Sequence, residues 1–218
     1  MSSNIKVITC NVLRKIVLIV FILFSWCSRK QSRSCFFYRI LTKIFSIWMC
    51  LRFNCTNCYF SYPMNYRCGT QHFLIGKNCS FGKFAVLTAW EEYRNNKYKP
   101  NITIGEKCYF GDYLHLTCIN EITIGNNVLT GRWVTISDNA HGEINIEAIK
   151  EAPSERPLTS KGSVRIGNNV WIGDKVTILA GVIIGDNTII GANSVVTKSI
   201  PSNCVAAGNP AKVIKRLD

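Results

Sequence analysis

Apolar residues recur at every sixth position from Ile166 through Ile172, Ile178, Ile184 and Ile190 to Val196. Gly167, Gly173, Gly185 and Gly191 each follow one of them. Val170, Val176, Val182, Thr188 and Ser194, which are small or β-branched, recur with the same period. An α-helix sets its apolar residues three and four apart and an alternating strand sets them two apart, so neither repeats in sixes. A short strand followed by a tight corner does. The apolar residue points inward, and Gly, Asn and Asp take the corner conformations that other residues resist. Three such units close one triangular coil, with Ile184 stacked on Ile166 and Ile190 on Ile172. Stacked coils form three parallel sheets around a continuous core. The predicted class is all-β.

The same pattern runs less cleanly through Ile75-Gly76, Phe81-Gly82, Ile104-Gly105, Phe110-Gly111, Leu116 and Ile122, then slips in phase and restarts at Ile124-Gly125. Two stretches interrupt it. Residues 88–101 carry Trp90, Tyr93 and Tyr98, and residues 142–165 are polar with Pro153 and Pro157. Both read as loops thrown out of the coil, where function concentrates on a rigid scaffold. These signals divide the chain into a front extension over 1–60, a coil domain over 61–204 and a closing segment over 205–218. In the last, Asn209 is placed to cap and Pro210 to open a short C-terminal helix.

The front extension follows another pattern. Ile16 to Phe24 is continuously apolar, and no charge falls between Lys15 and Arg29. That is short of the roughly 20 apolar residues of a membrane span. From Phe36 to Phe53, the residues Phe37, Ile40, Leu41, Ile44, Phe45, Trp48 and Leu51 recur at helical spacing. Arg39, Thr42, Lys43 and Ser46 fall on the other side, which predicts a basic amphipathic helix.

Charge sharpens this division. Of 26 Lys and Arg, 12 lie in residues 1–90, and the first acid in the chain is Glu91. The net charge of +13 therefore sits almost wholly in the front. Apolar faces flanked by cations suit an anionic lipid surface, or packing against the rest of the protein or a partner subunit. They do not suit nucleic acid, because the cations alternate with bulky aliphatics. The composition, 47% hydrophobic and 18% charged, excludes a disordered chain. The 11 cysteines are odd in number and scattered, which fits free thiols in a reducing compartment. Cys55 and Cys58 have knuckle spacing, but no second pair accompanies them, so no metal site is expected.

Over Ser163 to Leu217 the chain resembles the hexapeptide-repeat acyltransferases. The elements that carry the likeness are Val170-Trp171-Ile172-Gly173, Gly181-Val182-Ile183-Ile184-Gly185, Gly191 through Lys198, Ile200-Pro201 and Gly208-Asn209-Pro210-Ala211. The likeness is looser over 73–162 and absent from 1–60. It implies a left-handed parallel β-helix, an exception to the usual right-handed crossover. It also implies a homotrimer with acetyl-CoA as co-substrate. The family's catalytic His matches His141, in Ser137-Asp138-Asn139-Ala140-His141-Gly142. An imidazole suits a base that takes a proton from an acceptor as it attacks a thioester. The resemblance assigns acetyl-CoA contacts to Asp174, Ala192, Thr197, Lys198, Lys212 and Lys215, with Asp174 and Ala192 acting through their backbone. Trp171 would line the cleft. Asp138, placed with the substrate-binding residues, stands between orienting His141 and a corner position, and Asn139 stands between acceptor binding and corner geometry. His115 is expected in the core or at a subunit interface.

The implied activity is O-acetylation of a sugar hydroxyl in surface polysaccharide assembly. The acceptor would be a small or lipid-linked saccharide, at the inner face of the plasma membrane, with residues 1–55 in contact with the membrane. An amino sugar, a serine or an antibiotic is the alternative acceptor on the same fold. A metal hydratase would need three His ligands in one site, which His72, His115 and His141 do not match in spacing. A non-catalytic β-helix scaffold is the alternative from another class.

Overall fold

The computed structural model describes residues 36–143 and 145–217. The apolar stretch 16–27 lies outside the described residues. The chain divides into two compact units, residues 1–44 and 45–218. The described part of the first is the start of a helix, Phe36–Arg52, which continues into the second.

The second unit is a parallel β-helix with three faces. The first face holds strands Tyr59–Phe60, Ser80–Phe81, Tyr109–Phe110, Leu129–Thr130, Trp171–Ile172, Ile189–Ile190 and Cys204–Gly208. The second holds Tyr66–Cys68, Val86–Ala89, His115–Cys118, Thr135–Ser137, Thr177–Ile178 and Val195–Val196. The third holds Phe73–Ile75, Asn101–Ile104, Glu121–Ile124, Val164–Ile166 and Ile183–Ile184. The register stacks Ile184 on Ile166, Ile190 on Ile172 and Val196 on Ile178, as the six-residue period requires. It is the left-handed class of β-helix.

Inward residues make continuous columns. Phe60, Phe81 and Phe110 stack ring on ring, with centroids 4.7 and 4.9 Å apart, and Phe53 extends the column at 5.4 Å. The Ile-Gly glycines are needed for close approach between coils. A Cβ on Gly125 would lie 2.7 Å from the carbonyl of Gly167 in the next coil. Left-handed φ falls two residues later, on Asn78, Lys107, Asn127, Asn169, Lys175, Asn187 and Asn193, and on Asn203 two residues after Pro201. Asparagine tolerates that region, and here it also forms a ladder. The amides of Asn127, Asn169, Asn187 and Asn203 are linked in turn at 3.0–3.1 Å.

Two expectations are corrected. The C-terminal segment is a strand, Ala211–Arg216, folded back antiparallel on Cys204–Gly208 to form a hairpin on the first face. Gly208 has φ +107, which turns the chain, and the exposed edge of Cys204–Gly208 offers backbone partners that a helix would forgo. In the helix Phe36–Arg52 the buried side is the one carrying Thr42 and Ser46, together with Met49. The Ser46 hydroxyl accepts the Phe60 N–H at 3.0 Å and donates to the Cys58 carbonyl at 3.3 Å. A small polar group satisfied this way can face the first coil, where a bulky aliphatic would keep the helix away.

Candidate functional site

The chain leaves the coil repeatedly at one edge, between the second and third faces. The first departure is a 3₁₀ turn at Thr70–His72. The second carries the hairpin Glu92–Tyr93/Asn96–Lys97. The third is the short corner Ile119-Asn120, which accounts for the phase slip before Ile124. The fourth is the long excursion between Ser137 and Val164, which includes a short helix, Ile146–Ile149.

Asp138 opens that excursion and is completely buried. Its carboxylate accepts the N–H groups of Ile119 and Asn120 at 2.9 and 2.8 Å, and Cys118 Sγ lies 3.2 Å away. Asp138 therefore ties two adjacent corners together. With no exposed surface in the single chain, its carboxylate is engaged in holding these corners. Asn139 is half-buried beside it, with its amide 3.1 Å from the Asp138 carboxylate and 3.5 Å from the Thr117 hydroxyl.

His141 lies on the strand Ala140–His141, paired antiparallel with Leu158–Thr159, and is exposed. The Tyr93 ring meets it edge to face, with centroids 5.3 Å apart at 71°. The Tyr93 hydroxyl donates to the Ser154 carbonyl at 3.0 Å, and Arg94 Nε donates to the same oxygen at 3.1 Å. Arg94 also pairs with Glu155 at 2.6 Å, and the Tyr98 hydroxyl accepts the Leu158 N–H at 2.8 Å. The first loop thus braces the second and sets an aromatic ring against the imidazole. Trp90 stands behind, edge-on to Tyr93 at 6.2 Å, with its indole N–H on Thr117 Oγ1 at 3.2 Å. Tyr93 was not foreseen as a site residue. Its only sequence signal was an aromatic in an interruption of the repeat, because the meeting of the two loops is a tertiary event.

The acetyl-CoA candidates fall into two groups. Thr197 and Lys198 are exposed just after the strand Val195–Val196, on the edge from which the His141 loop departs two coils earlier. The others lie across the second face. Trp171 is 53% exposed on the first face, in a row that runs through Ile189 and Val205 to Lys215. Lys212 pairs with Ala207 on the same strand. Asp174 and Ala192 occupy successive corners between the first and second faces. The Asp174 carboxylate accepts the Arg132 N–H at 2.7 Å and its carbonyl accepts the Asn193 N–H at 2.8 Å, so both acceptors serve the fold. One chain therefore separates the Trp171 group from the His141 group.

His115 is exposed at the start of its strand, so of the two places expected for it the core is excluded. Partial burial nevertheless holds its imidazole below the ordinary value. Cys55 and Cys58 are buried, and burial pushes both thiols up. The Cys58 thiol is directed at the Gly76 carbonyl at 3.2 Å.

Comparison with known proteins agrees with this architecture. Residues 163–198 match the family described as bacterial transferase hexapeptide (six repeats). A galactoside O-acetyltransferase of Escherichia coli K12 is 42% identical over 126 residues, covering 56% of this chain and 57% of its own length. A protein of the same strain, whose name assigns it to O-acetyl transfer in lipopolysaccharide biosynthesis, is 40% identical over 120 residues, covering 54% and 61%. The match spans about three fifths of the length of these relatives. Among solved structures, the N-acyltransferase AntD of Bacillus cereus, in complex with dTDP and 3-hydroxybutyryl-CoA, has TM-score 0.63 at 18% identity, covering 79% of this chain and 87% of its own. A hexapeptide-repeat acetyltransferase of Vibrio cholerae has TM-score 0.50 at 21% identity, covering 75% and 73%. Residues 163–198 thus carry the hexapeptide repeat, and over about half its length the chain is similar to proteins named as O-acetyltransferases.

Proposed function

We propose that the protein is an acetyl-CoA-dependent O-acetyltransferase that acts on a sugar hydroxyl. The observation that carries this is the exposed His141, held against Tyr93 at the head of a loop braced by a second loop. His141 acts as general base. It takes the proton of the acceptor hydroxyl as that oxygen attacks the thioester carbonyl; the C–O bond forms, the C–S bond breaks, and the proton passes to the departing CoA sulfur. No enzyme nucleophile is required. Lys198, Lys212 and Lys215 are exposed point charges suited to the CoA phosphates. The O-acetyl relatives at 40–42% identity favour a hydroxyl over an amine.

The separation of the two residue groups supports a homotrimer. A cleft between copies brings the Trp171 group of one chain to the His141 edge of its neighbour. The exposed row Tyr109, Leu129 and Trp171 gives the first face an apolar surface for that contact. The setting we infer is surface polysaccharide assembly at the inner face of the plasma membrane, with a small or lipid-linked saccharide acceptor.

Calorimetry with acetyl-CoA comes first, because it requires no choice of acceptor. Saturable binding near one site per chain is expected. Transfer to members of a saccharide panel follows, lost in His141→Ala with acetyl-CoA binding retained. Failure of the folded protein to bind acetyl-CoA overturns the transferase reading in favour of a scaffold.

A further inference from the structure

The helix Phe36–Arg52 has two apolar sides. One is buried, carrying Met49 along with Thr42 and Ser46. The opposite side exposes Ile40, Ile44, Ile47, Trp48 and Leu51, with Ile47 63% and Leu51 76% accessible. At about 100° per residue these five fall within an arc of about 100°, extending about 16 Å along the axis. A helix that only covers a core carries polar residues on its outer side. This one carries its largest aliphatics there.

The flanks are cationic. Lys43 and Arg39 border the stripe on one side and Arg52 on the other, all exposed. The Arg67 guanidinium lies over the Trp48 ring, 4.4 Å from its centroid. No acid occurs anywhere in residues 1–90. We propose that this stripe is a membrane-interface surface, and that its partner is a bilayer containing anionic lipid. The apolar residues enter the boundary between headgroups and acyl chains while the flanking cations meet lipid phosphates. Pairing with a second copy would set Arg39, Lys43 and Arg52 against the same cations with no carboxylate between them. The first 35 residues are themselves basic and without acid, so their charge offers no complement either. The inference stands on the helix alone and adds an attachment surface to the transferase reading.

The test uses the purified full chain and sucrose-loaded vesicles, either phosphatidylcholine alone or with about one third phosphatidylglycerol. Sedimentation with the anionic vesicles is expected, weakened by high salt, and little with the neutral ones. Ile47→Ser combined with Leu51→Ser is expected to weaken association by about tenfold or more. Its melting temperature and acetyl-CoA binding stay at wild-type values, because both residues are exposed. Three outcomes overturn the proposal. The variant sediments like wild type, which puts attachment elsewhere in the chain; wild type shows no preference for anionic vesicles; or the variant changes its oligomeric state in sedimentation velocity, which makes the stripe an interface between copies. The assay needs no acetyl-CoA, so its failure is distinct from failure of the transferase reading.

Discussion

At the scale of single residues, His141 and Asp138 lie three positions apart and do opposite work. His141 is exposed and engaged by one ring, so His141→Ala is expected to lower transfer by about 10²- to 10⁴-fold while the melting temperature holds. Asp138 is buried and accepts two backbone N–H groups, so Asp138→Ala is expected to cost about 2–4 kcal/mol of stability, seen in denaturant unfolding. Sequence put both in one six-residue stretch but could not tell the exposed side chain from the buried one, because burial is decided by which corner lies in the neighbouring coil. Tyr93→Ala is expected to lower kcat more than it changes KM. Tyr93→Phe keeps the ring and loses only the hydroxyl bond to Ser154, and it should recover most of the rate. His115 provides a pH effect. Its folded value is depressed, so the unfolded chain binds the proton first. That contribution to stability is complete above the unfolded value of about 6.5 and is lost as pH falls through the folded one. His115→Gln should flatten this part of the acid-side slope in melting temperature against pH.

At the scale of elements, spacing between coils is the tightest constraint. A Cβ on Gly173 would lie 2.6 Å from the Ala192 N in the next coil. Both are backbone-bound, so Gly173→Ala should part the coils and cost about 3 kcal/mol. The terminal hairpin shows the limit of local pattern. Asn209 and Pro210 carry helix-start chemistry, yet Val213 and Ile214 extend along an edge strand that would otherwise leave its N–H and C=O groups unpaired. That strand carries Lys212 and Lys215. Replacing both with Ala should weaken acetyl-CoA binding about tenfold by calorimetry and leave the fold unchanged. The helix Phe36–Arg52 teaches the same point. Its periodicity was plain, but the face turned to the coil was the one that could satisfy a buried hydroxyl.

At the scale of the whole molecule, a solenoid has an outer surface on every coil and no interior cavity of its own. Its site must form at an edge, from loops, or between copies. The loops here all leave by one edge, and the first face exposes Leu129 and Trp171. On the proposed trimer, Leu129→Glu should lower the mass seen in sedimentation velocity towards that of the monomer and reduce acetyl-CoA affinity with it. Coil spacing of about 4.8 Å sets the His141 loop roughly 15 Å from the first coil, which the helix adjoins through Phe53.

The repeat of Ile166 to Val196 was enough to establish coils, their stacking order and the inward residues, because a period of six fits a three-sided coil and each coil contacts only its neighbours; the hand of the coil was not in the spacing. The cationic, acid-free front and the basic amphipathic helix were equally legible, since both are properties of consecutive residues. Tertiary structure decided everything that depends on residues distant in sequence. It put Asp138 under Ile119 and Asn120, set Tyr93 against His141 across the two loops, folded the tail into a hairpin, and turned the largest aliphatics of the helix outward. Each of these depends on a surface that exists only once the coils have stacked, and at Asp138 and Ser46 it is the pairing of buried polar groups that decides.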